Sequence, residues 1–196
     1  LLQYYVTSIC GIDTSAGVAI QVNSLATIGI PSTPLAICDG SKLSISTPSV
    51  IINGAASTQR TWQLSANTSS TSSYSDIDIN SRTFVRGENN RWVRYKVVTA
   101  CGTSYSDPVR ITVNGIPTIG TLATPDAICE YDTVPAKKPT INYQGGTSTS
   151  EGWLLDGNPF NTSTPLSVSD NGRTLTYYVQ TACGRAESNG VEVRVN

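Results

Sequence analysis

One eight-residue string occurs three times in this chain of 196 residues, and it limits the folds that the chain can adopt. The copies are YYVTSICG from Tyr4, YKVVTACG from Tyr95 and YYVQTACG from Tyr177. Eight residues after its cysteine, each copy is followed by a second matched string: VAIQVN, VRITVN or VEVRVN. Self-similarity of this kind is the signature of a tandem repeat. The sequence therefore predicts several copies of one small domain.

Two further landmarks set the boundaries of the repeats. Cys38 and Cys129 end the related strings PLAIC and PDAIC, and Trp62 and Trp153 each follow 24 residues later. The register defines three parts, which we call the N-terminal segment, the first repeat and the second repeat: residues 1–23, 24–114 and 115–196. The N-terminal segment matches only the C-terminal strands, F and G, of a preceding repeat, whereas the first repeat is complete and the second is shorter. We therefore expect the sequence to belong to a longer array.

The composition favours small structural domains. Charged residues make up 14% of the chain and the net charge is −1, so neither a nucleic-acid surface nor a membrane-seeking basic face is predicted. No apolar run is long enough for a transmembrane helix. A domain of this size buries only roughly 60% of the surface of its unfolded chain, so each core is expected to be small.

The repeated strings alternate apolar and polar residues with a period of two, which is typical of half-buried β-strands. No segment shows the 3.6-residue period of an amphipathic helix. The pattern predicts an all-β fold in which matching aromatic and branched residues of the two repeats form the cores. These predicted core residues are Trp62, Tyr95, Val97, Trp153, Tyr177 and Val179.

The order of these landmarks resembles an immunoglobulin-like β-sandwich, with a tryptophan on strand C, an Asp-Asn-Gly corner from Asp170 and a tyrosine on strand F. One departure is that Val97 and Val179 stand where antibody-type domains carry cysteine. The AICDG string from Ala36 and the TACG…VxVxVN endings are similar to the tandem Ig-like repeats of very large Bacteroidota surface adhesins, such as the SprB-type gliding-motility adhesins. This resemblance implies a head-to-tail array of Ig-like sandwiches, exported to the cell surface by type IX secretion.

The five cysteines are expected to form disulfides, because the chain contains no histidine and no C-x-x-C metal motif. Pairing within each repeat would join Cys38 to Cys101 and Cys129 to Cys183. In an Ig-like sandwich, however, strands B and F run in the same direction, so the turn before B and the loop after F lie at opposite ends. Strands of this length span roughly 25 Å, whereas bridged Cα atoms lie within about 7 Å.

A head-to-tail array brings the A–B end of one repeat against the F–G end of the next. We therefore predict an interdomain disulfide between Cys38 and Cys183. In this scheme Cys10 and Cys101 pair with preceding units and Cys129 pairs with a following unit, all outside the sequence. The intradomain pairing is the alternative, and it would require a different fold.

The sequence predicts no active site, no metal ion and no cofactor. Histidine, the commonest general base and metal ligand, is absent. Asp76 and Asp78 form an acidic pair of the kind used in glycosidases and calcium sites. Alternation offers a simpler interpretation, because it directs Ile77 and Ile79 to the core and the two aspartates to water. The chain is therefore not expected to be an enzyme.

Trp92 has no aromatic counterpart in the second repeat, where Thr174 takes its position. Its parity relative to Tyr95 places it on the outer face of strand F, where it is predicted to pack on an edge or joint or, alternatively, to contact a sugar. The first repeat also carries about nine extra residues between its tryptophan and strand F, many of them in the string SANTSSTSSYSD. We expect this string to form a surface loop.

These features predict a non-catalytic stalk or filament segment of a large extracellular adhesin, stiffened by interdomain disulfides and serving surface attachment or gliding motility. Its expected partners are neighbouring repeats of the same chain, followed by surface polysaccharide or other cell-surface proteins. Nucleic acid and direct membrane insertion are not expected. The alternatives are a carbohydrate-binding or adhesive Ig-like module, in which Trp92 contacts the ligand, and an accessory Ig-like array of a secreted enzyme.

Overall fold

The computed structural model describes residues 1–54 and 56–196 and is all-β, apart from two short 3₁₀ turns at Arg86–Glu88 and Val168–Asp170. The N-terminal segment contains β1 (Tyr5–Ser8) and β2 (Gly11–Thr14). The first repeat contains β3 (Thr27–Ile28), β4 (Ile37–Cys38), β5 (Ser41–Lys42), β6 (Val50–Ile51), β7 (Ser57–Ser65), β8 (Tyr74–Ile77), β9 (Thr83–Phe84), β10 (Trp92–Thr99), β11 (Gly102–Tyr105), β12 (Val109–Arg110) and β13 (Val113–Asn114). The second repeat contains β14 (Thr118–Ile119), β15 (Ile141–Asn142), β16 (Ser148–Leu155), β17 (Asn158–Phe160), β18 (Thr174–Thr181), β19 (Gly184–Glu187) and β20 (Val191–Glu192).

Each repeat is organised on one large antiparallel sheet. The strand order is β11-β10-β7-β8 in the first repeat and β17-β16-β18-β19 in the second. In addition, β12 pairs with the central strand β10, and β20 pairs with the central strand β18. The register sets Tyr95 opposite Trp62 and Tyr177 opposite Trp153. This is the G-F-C-C′ order expected of an Ig-like sandwich.

The opposite layer of each sandwich consists of much shorter pairings. In the first repeat these are β3 with β6 and β5 with β9, and in the second repeat β14 pairs with β15. The end of each repeat also pairs in parallel with its own early segment, as β13 with β4 and as an isolated bridge between Ile128 and Val195. Because of this pairing, Cys38 and Cys129 lie beside the last residues of their repeats.

The predicted core residues lie where the two layers meet. Val97 and Val179 are fully buried, and Trp62, Tyr95 and Tyr177 are buried. The tryptophan of each repeat meets the strand F tyrosine edge-on, with ring centroids 5.1 Å apart in the first repeat and 4.9 Å in the second. Trp153 packs against the second core but is only half-buried, because a shallow pocket beside Gly152 and Pro159 opens along its ring.

The final hairpin of a repeat occurs three times with one register. The equivalent pairs are Tyr5–Thr14, Lys96–Tyr105 and Tyr178–Glu187. In every copy a serine hydroxyl accepts a hydrogen bond from the backbone N–H of the repeated tyrosine at 2.9 Å, and these pairs are Ser15–Tyr4, Ser106–Tyr95 and Ser188–Tyr177. The glycine after each cysteine has a φ near +130° to +140°, as seen at Gly11, Gly102 and Gly184. Side chains disfavour that conformation, so the turn accounts for the repeated Cys-Gly.

Candidate functional site

The joint between the two repeats carries the one disulfide found in the described residues. It links Cys38 to Cys183 with a Cα–Cα distance of 5.2 Å, and it spans 145 residues of sequence. This is the interdomain pair favoured by the sequence analysis, and the distance is typical of a disulfide. Cys10, Cys101 and Cys129 are free and exposed. The bond therefore connects the A–B end of the first repeat to the F–G end of the second.

Backbone pairing positions Cys38. Its neighbour Ile37 donates its N–H to the carbonyl of Thr112 at 3.0 Å, and Asp39 donates to the carbonyl of Asn114 at 2.8 Å. Because these bonds tie β4 to β13, Cys38 is held next to Asn114, the residue where the chain leaves the first repeat. Gly40, with φ +77°, then turns the chain toward β5.

Cys183 is positioned by the turn of its hairpin. Its backbone N–H donates to the hydroxyl of Thr181 at 3.2 Å, and that hydroxyl donates to the carbonyl of Gly184 at 3.2 Å. Thr181 is buried, so the anchor of the turn is part of the second repeat's interior. The linker residue Ile116 lies over this turn, since a methyl group built on Gly184 would lie 3.2 Å from its side chain. Local bonds and the linker thus fix the second cysteine.

A backbone contact closes the joint beside the disulfide. Gly115 donates its N–H to the carbonyl of Gln144 at 3.0 Å. A Cβ atom on Gly115 would lie 3.1 Å from the Gln144 side chain, and one on Gly145 would lie 2.7 Å from the Asn114 side-chain oxygen. Real Cβ atoms are rarely this close to other atoms, so the two glycines permit the approach. The repeats are therefore held together by a covalent bond and by close backbone packing.

Arg86 borders the same joint. Its backbone N–H donates to the Asp39 carboxylate at 2.7 Å, which braces the turn after Cys38. Among the described residues, the Nε of Arg86 and the side-chain oxygen of Asn114 are buried and make no hydrogen bond to protein atoms.

Trp92 lies on the outer face of β10, as the alternation along the strand predicts, but its indole N–H already donates a hydrogen bond within the protein. The indole N–H donates to the carbonyl of Thr68 at 2.8 Å, and the Trp92 backbone N–H donates to the buried hydroxyl of Ser65 at 2.8 Å. Thr68 belongs to the Ser/Thr-rich loop between β7 and β8. In this structure Trp92 anchors the loop, and its N–H is not free for a ligand hydroxyl.

The aspartates of the SDIDIN string make local hydrogen bonds. The pKa of Asp76 lies below its ordinary value because its carboxylate accepts hydrogen bonds, first from Gln63 and then from Lys96. The pKa of Asp78 is also lowered, mainly by a hydrogen bond from the Ser81 hydroxyl. In residues 1–54 and 56–196, no three His, Cys, Asp or Glu side chains are grouped so that they would hold a metal ion.

Two side-chain clusters were missed by the sequence analysis. On the outer face of the first repeat, the Arg94 guanidinium stacks between the rings of Tyr74 and Tyr105, 3.9 Å from each centroid. In the second repeat, Lys138 pairs with Glu151, which also accepts a 2.9 Å hydrogen bond from the Tyr143 hydroxyl. The alternation of inward and outward residues along the strands predicts that Arg94 and Tyr105 lie on the outer face. The pairing of β7 with β8, which places Tyr74 beside Arg94, has no signal in the sequence.

Comparison with known proteins identifies the fold. No protein-family model matches the chain, and no curated protein does. Among solved structures, an I-band fragment of titin is similar over 90% of this chain and 66% of its own length, with a TM-score of 0.55 and 12% identity. Extracellular domains 3–5 of Drosophila OTK match over 95% of this chain and 67% of their own length (TM-score 0.45, 12% identity). The N-terminal four Ig domains of Dscam1 match over 94% and 51% (TM-score 0.41, 13% identity).

This chain thus spans between half and two thirds of the structures that it resembles. At such low identity a structural likeness establishes the fold and nothing more. Within the part of the chain that the structure describes, no helix is long and apolar enough to cross a membrane. The chain has an all-β, tandem immunoglobulin-like fold, and the titin match, with its TM-score of 0.55, carries that assignment.

Proposed function

We propose that this chain is a non-catalytic, load-bearing segment of an extracellular surface adhesin, in which disulfides lock successive Ig-like repeats into a stiff stalk. The observation that carries the proposal is the Cys38–Cys183 bond across the joint. A bond between repeats adds nothing to the shape of either sandwich, but it prevents the two from hinging apart. Its position is what a spacer under tension requires.

The route of tension through the chain supports this role. A pull on the two ends passes along residues 1–38, crosses the disulfide and leaves along residues 183–196. The segment between the cysteines, which contains most of both cores, stays outside the loaded path. A domain whose core lies off this path is not lengthened by force when it unfolds. The disulfide therefore limits the extension of the segment whatever the stability of its cores.

The disulfide supports the proposed compartment, and the resemblance of the repeated strings supports the proposed wider role. A structural disulfide persists in oxidising surroundings outside the cytosol, which supports an extracellular location. The resemblance of the repeated strings to Bacteroidota adhesins adds the cell surface, type IX secretion and a role in attachment or gliding motility. In this proposal the N-terminal segment is the F–G hairpin of one repeat, followed by a complete repeat at residues 24–114 and a second, shorter repeat at residues 115–196. Neighbouring repeats are the main partners.

Single-molecule stretching between the two termini tests the load-bearing role. Full extension of the reduced chain should exceed that of the oxidised chain by the length hidden behind the disulfide. For 145 residues at about 3.6 Å each, the difference is about 520 Å. Equal extension before and after reduction would contradict the proposal. The Cys101→Ser, Cys129→Ser double variant is the matched control, because it removes two exposed thiols and should keep the difference.

A second candidate, an adhesive module, is favoured by the outer face of the first repeat. The stacked side chains of Tyr74, Arg94 and Tyr105 form an aromatic surface there, and Tyr105 is about half exposed. The second repeat has no such stack at the matching positions, which are Thr176 and Glu187. Glycan-array binding that is lost on Tyr105→Ala but retained in Trp92→Phe would favour this candidate, whereas no binding by the wild-type chain would dismiss it.

A further inference from the structure

We infer that the N-terminal segment and Cys101 together receive a further Ig-like repeat of the same kind, which covers the hairpin and forms a second interdomain disulfide at Cys101. The inference rests on the proposed function in one respect, namely that disulfides join successive repeats. It goes further because it assigns a partner to a particular surface and to one particular thiol. Three independent features of the structure support it.

The first feature is an uncovered core face. The residues of the N-terminal segment that match the buried core positions of the other hairpins are exposed, and they are Tyr4, Val6, Val18, Ile20 and Val22. Tyr4, for example, is 73% exposed, whereas its equivalents Tyr95 and Tyr177 are 7% and 4% exposed. An exposed sheet face with this many apolar side chains marks a surface that another protein segment buries.

The partner that would bury this face is inferred from the side chains that bury the equivalent face in the first repeat. In the first repeat the strand F and G residues pack against side chains from strands A to E, including Leu43, Trp62, Ile79 and Phe84. The hairpin register is the same in the N-terminal segment. The occupant we assign is therefore the strand A–E part of an Ig-like repeat, which carries an A–B cysteine as both repeats here do.

The second feature is that the two joints have the same hinge. Ser24 donates its N–H to the carbonyl of Asn53 at 3.3 Å, as Gly115 does to Gln144 at 3.0 Å. The next residues, Gly54 and Gly145, have φ values of +88° and +87°. In both joints that glycine lies against the asparagine that ends the preceding repeat, where a Cβ atom would collide with the side-chain oxygen. These pairs are Asn23–Gly54 and Asn114–Gly145.

The third feature is the turn that holds Cys101. Its N–H donates to the Thr99 hydroxyl, which donates to the Gly102 carbonyl at 3.2 Å, as in the turn of Cys183. Leu25 lies over this turn, where Ile116 lies over the other, since a methyl group on Gly102 would be 3.0 Å from Leu25. With the same hinge and the same turn, a covering repeat brings its A–B cysteine to Cys101 as the first repeat brings Cys38 to Cys183.

The bond-forming step is an ordinary thiol–disulfide exchange. The two thiols lose two protons and two electrons and form one S–S bond, and a small-molecule disulfide such as oxidised glutathione takes up both and becomes two thiols.

The chain itself supplies a cover with which to test the inference. In the alignment of the repeats, Tyr4 matches Tyr95 and Leu1 therefore matches Trp92. A second copy of residues 24–91, placed directly ahead of Leu1, supplies the strand A–E part of a repeat for the N-terminal segment. The extended protein, which contains all of residues 1–196, is oxidised with glutathione and mapped by non-reducing peptide mass spectrometry. The added segment contains one cysteine, which is the copy of Cys38. We expect this added cysteine to form a disulfide with Cys101. We also expect slowed amide hydrogen exchange at Tyr4 and Val6 relative to the natural chain.

The controls separate this inference from the proposed function. Cys101→Ser should abolish the new link and keep Cys38–Cys183, and Cys129→Ser should keep both. If the added cysteine stays free or joins Cys10, the inference is overturned, whether or not the hairpin becomes protected. Unchanged hydrogen exchange at Tyr4 and Val6 also overturns it, because the added segment then fails to cover the face. Loss of Cys38–Cys183 from the natural chain counts instead against the proposed function.

Discussion

The hairpin of the N-terminal segment and the final hairpin of the second repeat have the same local structure and opposite surroundings. Both have the same pairing register and the same 2.9 Å serine-to-tyrosine hydrogen bond. In the second repeat the inward face is buried, whereas in the N-terminal segment the same positions are exposed. The comparison shows that the hairpin geometry is encoded locally and that burial depends on strands supplied from outside the hairpin.

The two joints differ in a related way. Both have the same backbone hinge, but among the described residues a disulfide closes only the joint between the two repeats. Since Cys101 and Cys183 lie in matching turns, the difference lies in what reaches them and not in the turns. Matched substitutions at equivalent positions of the hairpins therefore separate local from tertiary contributions to stability.

The largest difference is expected at the cysteines. The double variant Cys38→Ser, Cys183→Ser should lose about 4–5 kcal/mol of unfolding free energy, because the disulfide closes a loop of 145 residues and the chain-entropy effect is large for such loops. The double variant Cys101→Ser, Cys129→Ser should change the free energy by no more than about 0.5 kcal/mol, since both thiols are exposed. Urea unfolding monitored by tryptophan fluorescence measures both. Equal losses in the two variants would mean that the disulfide does not restrict the unfolded chain.

The next difference concerns one residue type in two environments. Leu2 and Leu175 occupy the same hairpin position, but Leu2 is exposed and Leu175 is fully buried. Leu175→Ala should destabilise the second repeat by about 2–5 kcal/mol through lost burial and a cavity, whereas Leu2→Ala should cost at most about 0.5 kcal/mol. Chemical unfolding of the two variants gives the comparison. A substantial cost at Leu2 would show that the N-terminal hairpin contributes to a core.

A smaller difference is expected at the hairpin serines. Ser106 is buried and its hydroxyl accepts the Tyr95 backbone N–H, so Ser106→Ala leaves a buried donor unpaired and should cost about 1–3 kcal/mol. Ser15→Ala removes the same bond in an exposed hairpin, where water replaces it, and the cost should stay within about 0.5 kcal/mol. Urea titrations of both variants test this pair. A similar cost at both sites would mean that the serine acts on the turn and not on burial.

The smallest effect concerns acid stability in the second repeat. The hydrogen bond from Lys138 is the main reason that the pKa of Glu151 lies below its ordinary value. This stabilisation is present above the unfolded pKa of about 4.3 and is lost as the pH falls through the lower folded value. Both side chains are partly exposed, so water and salt screen the pair to a few tenths of a kcal/mol. Lys138→Met should remove that part of the pH dependence between pH 6 and pH 3, measured by urea unfolding, and an unchanged pH profile would contradict it.

Much of the fold follows from repetition and parity in the sequence. The strings around Tyr95 and Tyr177 predict the central strands and their buried valines, because a half-buried strand alternates with a period of two. The spacing from Cys38 to Trp62 predicts the A–B turn and strand C. Ig-like topology then argues against Cys38–Cys101 on distance and favours the interdomain pair. Each step uses local sequence or a general rule of topology.

The missed features depend on tertiary packing. The layer opposite the large sheet consists of two-residue pairings such as Thr27–Ile28 with Val50–Ile51, and alternation cannot specify strands this short. The Arg94 stack depends on which strand lies beside β7. The hinge glycines did leave a signal, because Asn53-Gly54 and Gln144-Gly145 have the same spacing as the two repeats. Their role becomes clear only when the facing asparagines are placed.

Disulfide mapping of the intact, unreduced chain by mass spectrometry shows whether a covalent bond joins the two repeats. We predict a peptide pair joined through Cys38 and Cys183, with Cys10, Cys101 and Cys129 available to an alkylating reagent. Links from Cys38 to Cys101 and from Cys129 to Cys183 would contradict it. Each repeat would then be closed on itself, and tension would cross the joint through the linker between Cys101 and Cys129 and not through a disulfide.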